Sequence, residues 1–194
     1  MDKKTQNRSK IGIKSFYHKI LIFLILFFSI FFFFLRLFYP ESTLFMIPDF
    51  GESDVLHFHL PLKEVLSQSL KNQNWPLWTP YIANGFPLLA EGQIGTFYLP
   101  NLISYRFLPT ITAYNINLTL AYLFLALGTY LFTRSLGLGT IPSFFASLVF
   151  TFCGFFSVHL NHYDIIQTAS LLPFIFWASK KIWTKPNFNH AILW

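Results

Sequence analysis

The chain has 194 residues, 54% of them hydrophobic and 21% aromatic, with only 11% charged. A soluble globular domain carries about a quarter charged residues, so the composition argues against that class and for a membrane protein. The formal net charge of +6 is no argument for nucleic-acid binding, because the cations flank apolar segments, where they set topology and contact anionic lipid.

Residues 1–19 form a basic tail carrying Lys3, Lys4, Arg8, Lys10, Lys14 and Lys19. The uncharged run "ILIFLILFFSIFFFFL" follows, and with Arg36 snorkelling it extends over 20–38, about the 20 residues that cross a bilayer core. Pro40 and Glu41 follow it rather than a small-x-small cleavage site, which favours a spanning helix over a signal peptide. Residues 39–111 make a long loop. Within it Leu62, Val65, Leu66 and Leu70 recur at helical spacing with Lys63, Glu64, Gln68 and Lys71 elsewhere on the wheel, predicting an amphipathic helix along the membrane surface. Pro61 should interrupt or begin its regular part and leave Asp54 to His59 as a separate turn or a kinked first section. Apolar segments at 112–134, 141–159 and 164–181 complete a prediction of about four transmembrane helices in an all-α polytopic protein. Residues 182–194 are either a cytoplasmic end or the start of a further span, and the second option would make the chain the front part of a longer one. The lone Cys153, in the third span, excludes an intrachain disulfide and reads as a packing residue.

Lys and Arg disfavour translocation, so the basic tail predicts a cytoplasmic N-terminus. Threading four spans from there puts Arg134, Lys180, Lys181 and Lys185 on the cytoplasmic side and Glu41, Asp49, Glu52, Asp54, Glu64, Glu91 and Asp164 outside. The long acidic loop is then extracytoplasmic, and loops of that length are usually functional.

The loop contains "PLWTPY", "GFPLLAEGQ" and "FYLP" in that order, and a later Gly154 to His159 stretch reads G-F-x-x-x-H. Over about residues 50–175 this pattern resembles the YfhO-like bacterial membrane proteins. Thr79 stands where that family usually has Asn, and Leu99 is inserted before Pro100. The resemblance implies the front part of a GT-C glycosyltransferase of the bacterial inner membrane, expected to belong to a longer chain. Such an enzyme moves a sugar from a polyprenyl-phosphate donor to a cell-envelope glycan or glycolipid acceptor. It also implies a carboxylate after the first span that acts as base or metal ligand, matched here by Asp54, and a second acidic position, matched by Asp164 with His162.

Glycosyl transfer needs a deprotonated acceptor hydroxyl and neutralisation of the leaving phosphate. Asp54 is the expected base. His57, His59 and His162 are candidates to hydrogen-bond substrate or bind metal, and Asp54 with Asp164 could hold a divalent ion such as Mg or Mn. Trp78 could stack on a sugar or anchor the loop at the interface, and Glu91 and Gln93 could touch donor or acceptor or face solvent. Asp54 and Asp164 each precede an apolar helix and have N-capping as their plainer reading. Asn115 and Asn117 are expected to bond between helices. The rival reading is a non-catalytic assembly or lipid-binding protein. Transport is disfavoured, because the spans lack ionisable residues along a pathway.

Overall fold

The computed structural model describes residues 20–45, 53–82 and 84–184; the basic tail, Asp49, Glu52 and the stretch after 184 lie outside them. The described residues are helical, without a named strand. Helix α1 covers 20–34 and tightens into a 3-10 turn at Leu35–Leu37. Ile22, Leu26, Ile30, Phe34 and Leu37 are buried at three- and four-residue spacing. The opposite face shows Phe23, Phe27 and Phe31 with stacked rings, 6.4 and 6.2 Å between successive centroids. One stripe packs against protein and the other suits lipid.

Four further helices complete the larger body. They are α4 (Thr110–Ser135), α5 (Thr140–Thr151), the short α6 (Gly154–Val158) and α7 (Tyr163–Thr184). Helix α4 is central and packs most extensively on α7 and α5. Its buried positions include Ala113, Ala121, Ala126, Gly128 and Thr129, small residues that let helix backbones approach in an apolar solvent. At Gly128 the approach is closest: a Cβ there would lie 2.9 Å from Cδ2 of Phe174 and 3.1 Å from Cβ of Pro173.

Three helical stretches are long and apolar enough to cross a membrane: Ile20–Leu37, Thr110–Ser135 and Thr140–Asn161. Four were expected. The remaining segment forms α7, whose 22 residues reach about 33 Å. Asp164, Gln167, Ser170, Lys180 and Lys181 dilute its apolar character, and its flank is instead covered by α4. The span expected over 141–159 corresponds to Thr140–Asn161, but it is interrupted rather than one continuous helix. Its backbone leaves the helix at Phe152, Cys153 is extended (φ −69°, ψ 163°), and the chain re-enters α6 at Gly154 before a 3-10 turn at His159–Asn161. Glycine is a poor helix former, and the break sits immediately before it.

The long loop folds into a second, smaller body. Helix α2 (Leu60–Lys71) is preceded by a π-helical turn at Val55–His59, and Pro61 stands in its first turn, where its missing N–H has no helical partner to lose. Helix α3 (Leu99–Phe107) lies within the stretch expected as the long loop 39–111. Leu62, Leu66 and Leu70 are buried with Leu88, Ile94, Tyr105 and Ala113. The apolar stripe of α2, expected to rest on lipid, is therefore covered by protein from α3, the loop and the start of α4.

Candidate functional site

The starts of α4 and α7, the end of α1 and the α2/α3 body all meet at one end of the bundle. Every described acid, Glu41, Asp54, Glu64, Glu91 and Asp164, belongs to this end. At its centre is a residue that sequence reasoning placed on the solvated face. Lys63 of α2 is completely buried. Its ammonium donates to the backbone carbonyls of Ile94 and Gln93, the latter at 3.4 Å. It stands 4.7 Å from the ring centroid of Tyr163 and 5.9 Å from that of Tyr105. Burial pushes the Lys63 ammonium down to about 7, with the Asp164 carboxylate pulling in the opposite direction. A charge out of water is tolerated only with such partners.

The carbonyls come from a tight loop built for close approach. A 3-10 turn at Gly92–Ile94 begins with the Glu91 carboxylate accepting from the Gln93 N–H at 3.2 Å and ends at Gly95 in the left-handed region (φ 59°). A Cβ at Gly95 would come within 2.9 Å of Asn101 Nδ2 and 3.8 Å of Lys63 Nζ. The position therefore needs glycine for both conformation and space. Beneath it, Asn101 of α3 is a hub. Its amide nitrogen donates to the Gly95 carbonyl at 2.9 Å, and its oxygen accepts from Asn117 at 2.9 Å, Gln167 at 3.0 Å and the Tyr163 hydroxyl at 3.3 Å. Asn117 also donates to the Ser104 hydroxyl at 2.6 Å, and the Tyr105 hydroxyl donates to that of Tyr163 at 3.4 Å. This network ties α2 and α3 to α4 and α7. Asn115 reaches instead to the carbonyls of Leu37 and Thr43, at 3.0 and 2.9 Å, fastening the exit of α1. The expected interhelical role of the two asparagines thus extends to the loop.

His59, the last residue of the π-helical turn, is buried and its Nδ1 has no hydrogen-bond partner. Burial lowers its tendency to protonate; Asp164 opposes that, Lys63 adds to it, Asp54 opposes it and His162 adds to it, in decreasing order. The fields of Asp54 and Asp164, from widely separated parts of the chain, therefore converge on one imidazole. Asp54 is exposed and its side chain caps no backbone N–H, so the N-cap reading fails there. Asp164 is half-buried and lies inside the first turn of α7, favourable for a carboxylate because of the helix dipole, rather than at the cap. It stands at one end of an apolar groove of about 460 Å³ along Ile165, Ala169, Leu172 and Ile175. His162 is half-buried with Nδ1 unpartnered, its ring 5.4 Å from that of His159.

The other sequence candidates lie outside this cluster's interior. His57 and the Gln93 side chain are exposed, and Glu91 is half-buried over the loop that it caps. Trp78 is exposed, with its ring against Gly85 so closely that a Cβ there would fall 2.3 Å from Cζ2. A backbone bridge between Thr79 and Phe86 closes that turn. For a divalent ion the fit is poor. Among the described residues no three His, Cys, Asp or Glu side chains converge as a ligand set.

A signal for Lys63 did exist in the sequence. It precedes Leu66 by three residues and Leu70 by seven, which places it on the buried stripe rather than opposite it. Asn101 gave no comparable sign, since its four partners are contributed by a turn and two other helices. No family model, curated protein or solved structure matches the chain.

Proposed function

We propose that the chain is a GT-C-type membrane glycosyltransferase. It would span the bacterial inner membrane four times with its N-terminus in the cytoplasm, α7 being the fourth span. Its substrates would be a polyprenyl-phosphate-linked sugar and a cell-envelope glycan or glycolipid. The observation that carries this reading is that Asp54, at the start of the π-helical turn, and Asp164, in the first turn of α7, lie at the same end of the bundle as the buried His59 and Lys63. These are the two acids that the resemblance singles out, and the resembling stretch Glu91 to Gly95 is folded onto Lys63 in the same cluster.

In this reading the exposed Asp54 takes the proton of the acceptor hydroxyl. The acceptor oxygen forms the new bond to the anomeric carbon as the bond to the phosphate oxygen breaks, and the polyprenyl phosphate leaves with the electron pair. His162 and His57 donate hydrogen bonds to that phosphate. Lys63, sealed from solvent, is a positioning residue: it fixes the loop that carries Glu91 and Gln93. A divalent ion, if the reaction used one, would add Lewis-acid charge at the phosphate. With no three-ligand set among the described residues, the steps above run through side chains alone.

One observation favours the rival reading of a non-catalytic assembly or lipid-binding protein. Lys63, Asn101, Asn117 and Gln167 are engaged largely with one another and with backbone. A transfer assay separates the two. Membranes containing the full chain receive a polyprenyl-phosphate hexose labelled in the sugar, and label is followed into envelope acceptors. The enzyme reading expects transfer that Asp54→Asn abolishes and Asp54→Glu partly keeps, with equal membrane insertion of all three. Undiminished envelope glycosylation with Asp54→Asn would favour the non-catalytic protein.

A further inference from the structure

We propose that the opposite, basic end of the bundle holds a site for one anionic phospholipid. It is a groove of about 590 Å³ between α1, α4 and α7, with Arg134 and Lys181 at its mouth and Ile22, Leu26, Leu127 and Phe174 along its length. On α4 it runs from Arg134 back to Leu127, about 10 Å at the helical rise. Charged mouth and apolar floor match the two parts of a phospholipid: a phosphate headgroup against the cations and the first part of an acyl chain against the aliphatic and aromatic wall. Basic pockets between spanning helices recognise such headgroups.

Both cations are held in place while keeping donors to spare. The Arg134 guanidinium donates one N–H to the Leu138 carbonyl at the turn after α4 and retains its others. The Lys181 ammonium sits 3.8 Å from the ring centroid of Trp177, itself part of the groove. No described acid belongs to this end of the bundle, where Lys180 adds further positive charge. The stretches of chain adjoining it, 1–19 and 185–194, carry Lys3, Lys4, Arg8, Lys10, Lys14, Lys19 and Lys185 against Asp2 alone. Charge therefore opposes either stretch as the occupant of a cationic mouth and favours an anion from the bilayer. This site is independent of the glycosyltransferase reading, since it shares no residue with the acidic end.

Trp177 supplies the readout. The full chain is reconstituted in neutral vesicles doped with phosphatidylglycerol or phosphatidylcholine brominated on the acyl chains, and quenching is taken as the difference between wild type and Trp177→Phe. Each cation near an anionic headgroup contributes about fivefold, so the pair should give phosphatidylglycerol about a twenty-five-fold advantage. Arg134→Gln with Lys181→Gln should erase the advantage, and the charge-conserving Arg134→Lys with Lys181→Arg should keep most of it. Inorganic phosphate should not displace the lipid beyond a chloride control of equal ionic strength. Equal quenching by the two lipids would overturn the proposal, as would preference surviving the double glutamine variant, displacement by phosphate alone, or no quenching by either lipid. The last result would mean that another part of the chain or a second copy fills the groove. The wild-type comparison decides the matter even if the glutamine variant fails to fold.

Discussion

Lys63→Met replaces a buried ammonium with an apolar side chain of similar length, and the consequence should be a change in how stability depends on pH. The ammonium falls from 10.5 to about 7 on folding, with burial as the leading cause. Between those values the unfolded chain binds the proton and the folded chain does not, so wild-type stability rises with pH across that window. It is lost again as pH falls towards 7. The whole fall corresponds to about 5 kcal/mol, at a limiting slope of about 1.4 kcal/mol per pH unit. From pH 7.5 to 9.5 wild type should gain roughly 2.5 kcal/mol, a shift in melting temperature of about 5–10 °C for a chain of this size. The methionine variant should lack that rise over the same range. It should also be less stable than wild type at pH 9.5, because the carbonyls of Gln93 and Ile94 lose their donor, at about 1–3 kcal/mol for each buried acceptor. Thermal unfolding in detergent, followed by helical circular dichroism, provides the measurement. Parallel pH profiles for wild type and variant would refute the reasoning, because the slope would then come from groups other than Lys63.

Gly128→Leu should destabilise the α4/α7 contact by about 1–3 kcal/mol, since even a Cβ meets Phe174 at 2.9 Å, and the same thermal assay would detect it. His59 is buried with a lowered affinity for protons, so wild type should lose stability as pH falls below about 6.5. His59→Phe should lose less over that interval, as read from unfolding midpoints at pH 7 and 5. Trp78 is exposed at the acidic end, so Trp78→Cys in a Cys153→Ser background should react with an impermeant maleimide in intact cells. Reaction only after lysis would reverse the proposed orientation.

Much of the architecture was legible because it rests on local periodicity. The buried stripe of α1 and the helical spacing of Leu62, Leu66 and Leu70 are properties of short windows. What such windows cannot reveal is the identity of the covering surface. The α2 stripe reads the same whether lipid or α3 lies against it, and α3 itself was hidden in a stretch rich in proline and aromatic residues. The break at Cys153 was obscured for a related reason, since Phe152 and Phe155 keep the segment apolar while the backbone leaves the helix. At the candidate site, Asp54, His59, Asp164 and His162 were accessible as residue types with the right chemistry. Lys63 shares the register of Leu66 and Leu70, but the carbonyl of Gln93 that it meets comes from 30 residues away, and the significance of Asn101 lies wholly in the partners brought to it.

Because Asn101 bonds at once to the Gly95 turn, α4 and α7, the body outside the helical bundle cannot peel away without exposing the amides of Asn117 and Gln167. Loosening of either part is thereby coupled to the other, and the two should open as one cooperative unit. In hydrogen-exchange experiments, the backbone amides of α3 and of the first turns of α4 should then share a common opening free energy, although one helix belongs to the loop and the other to a span.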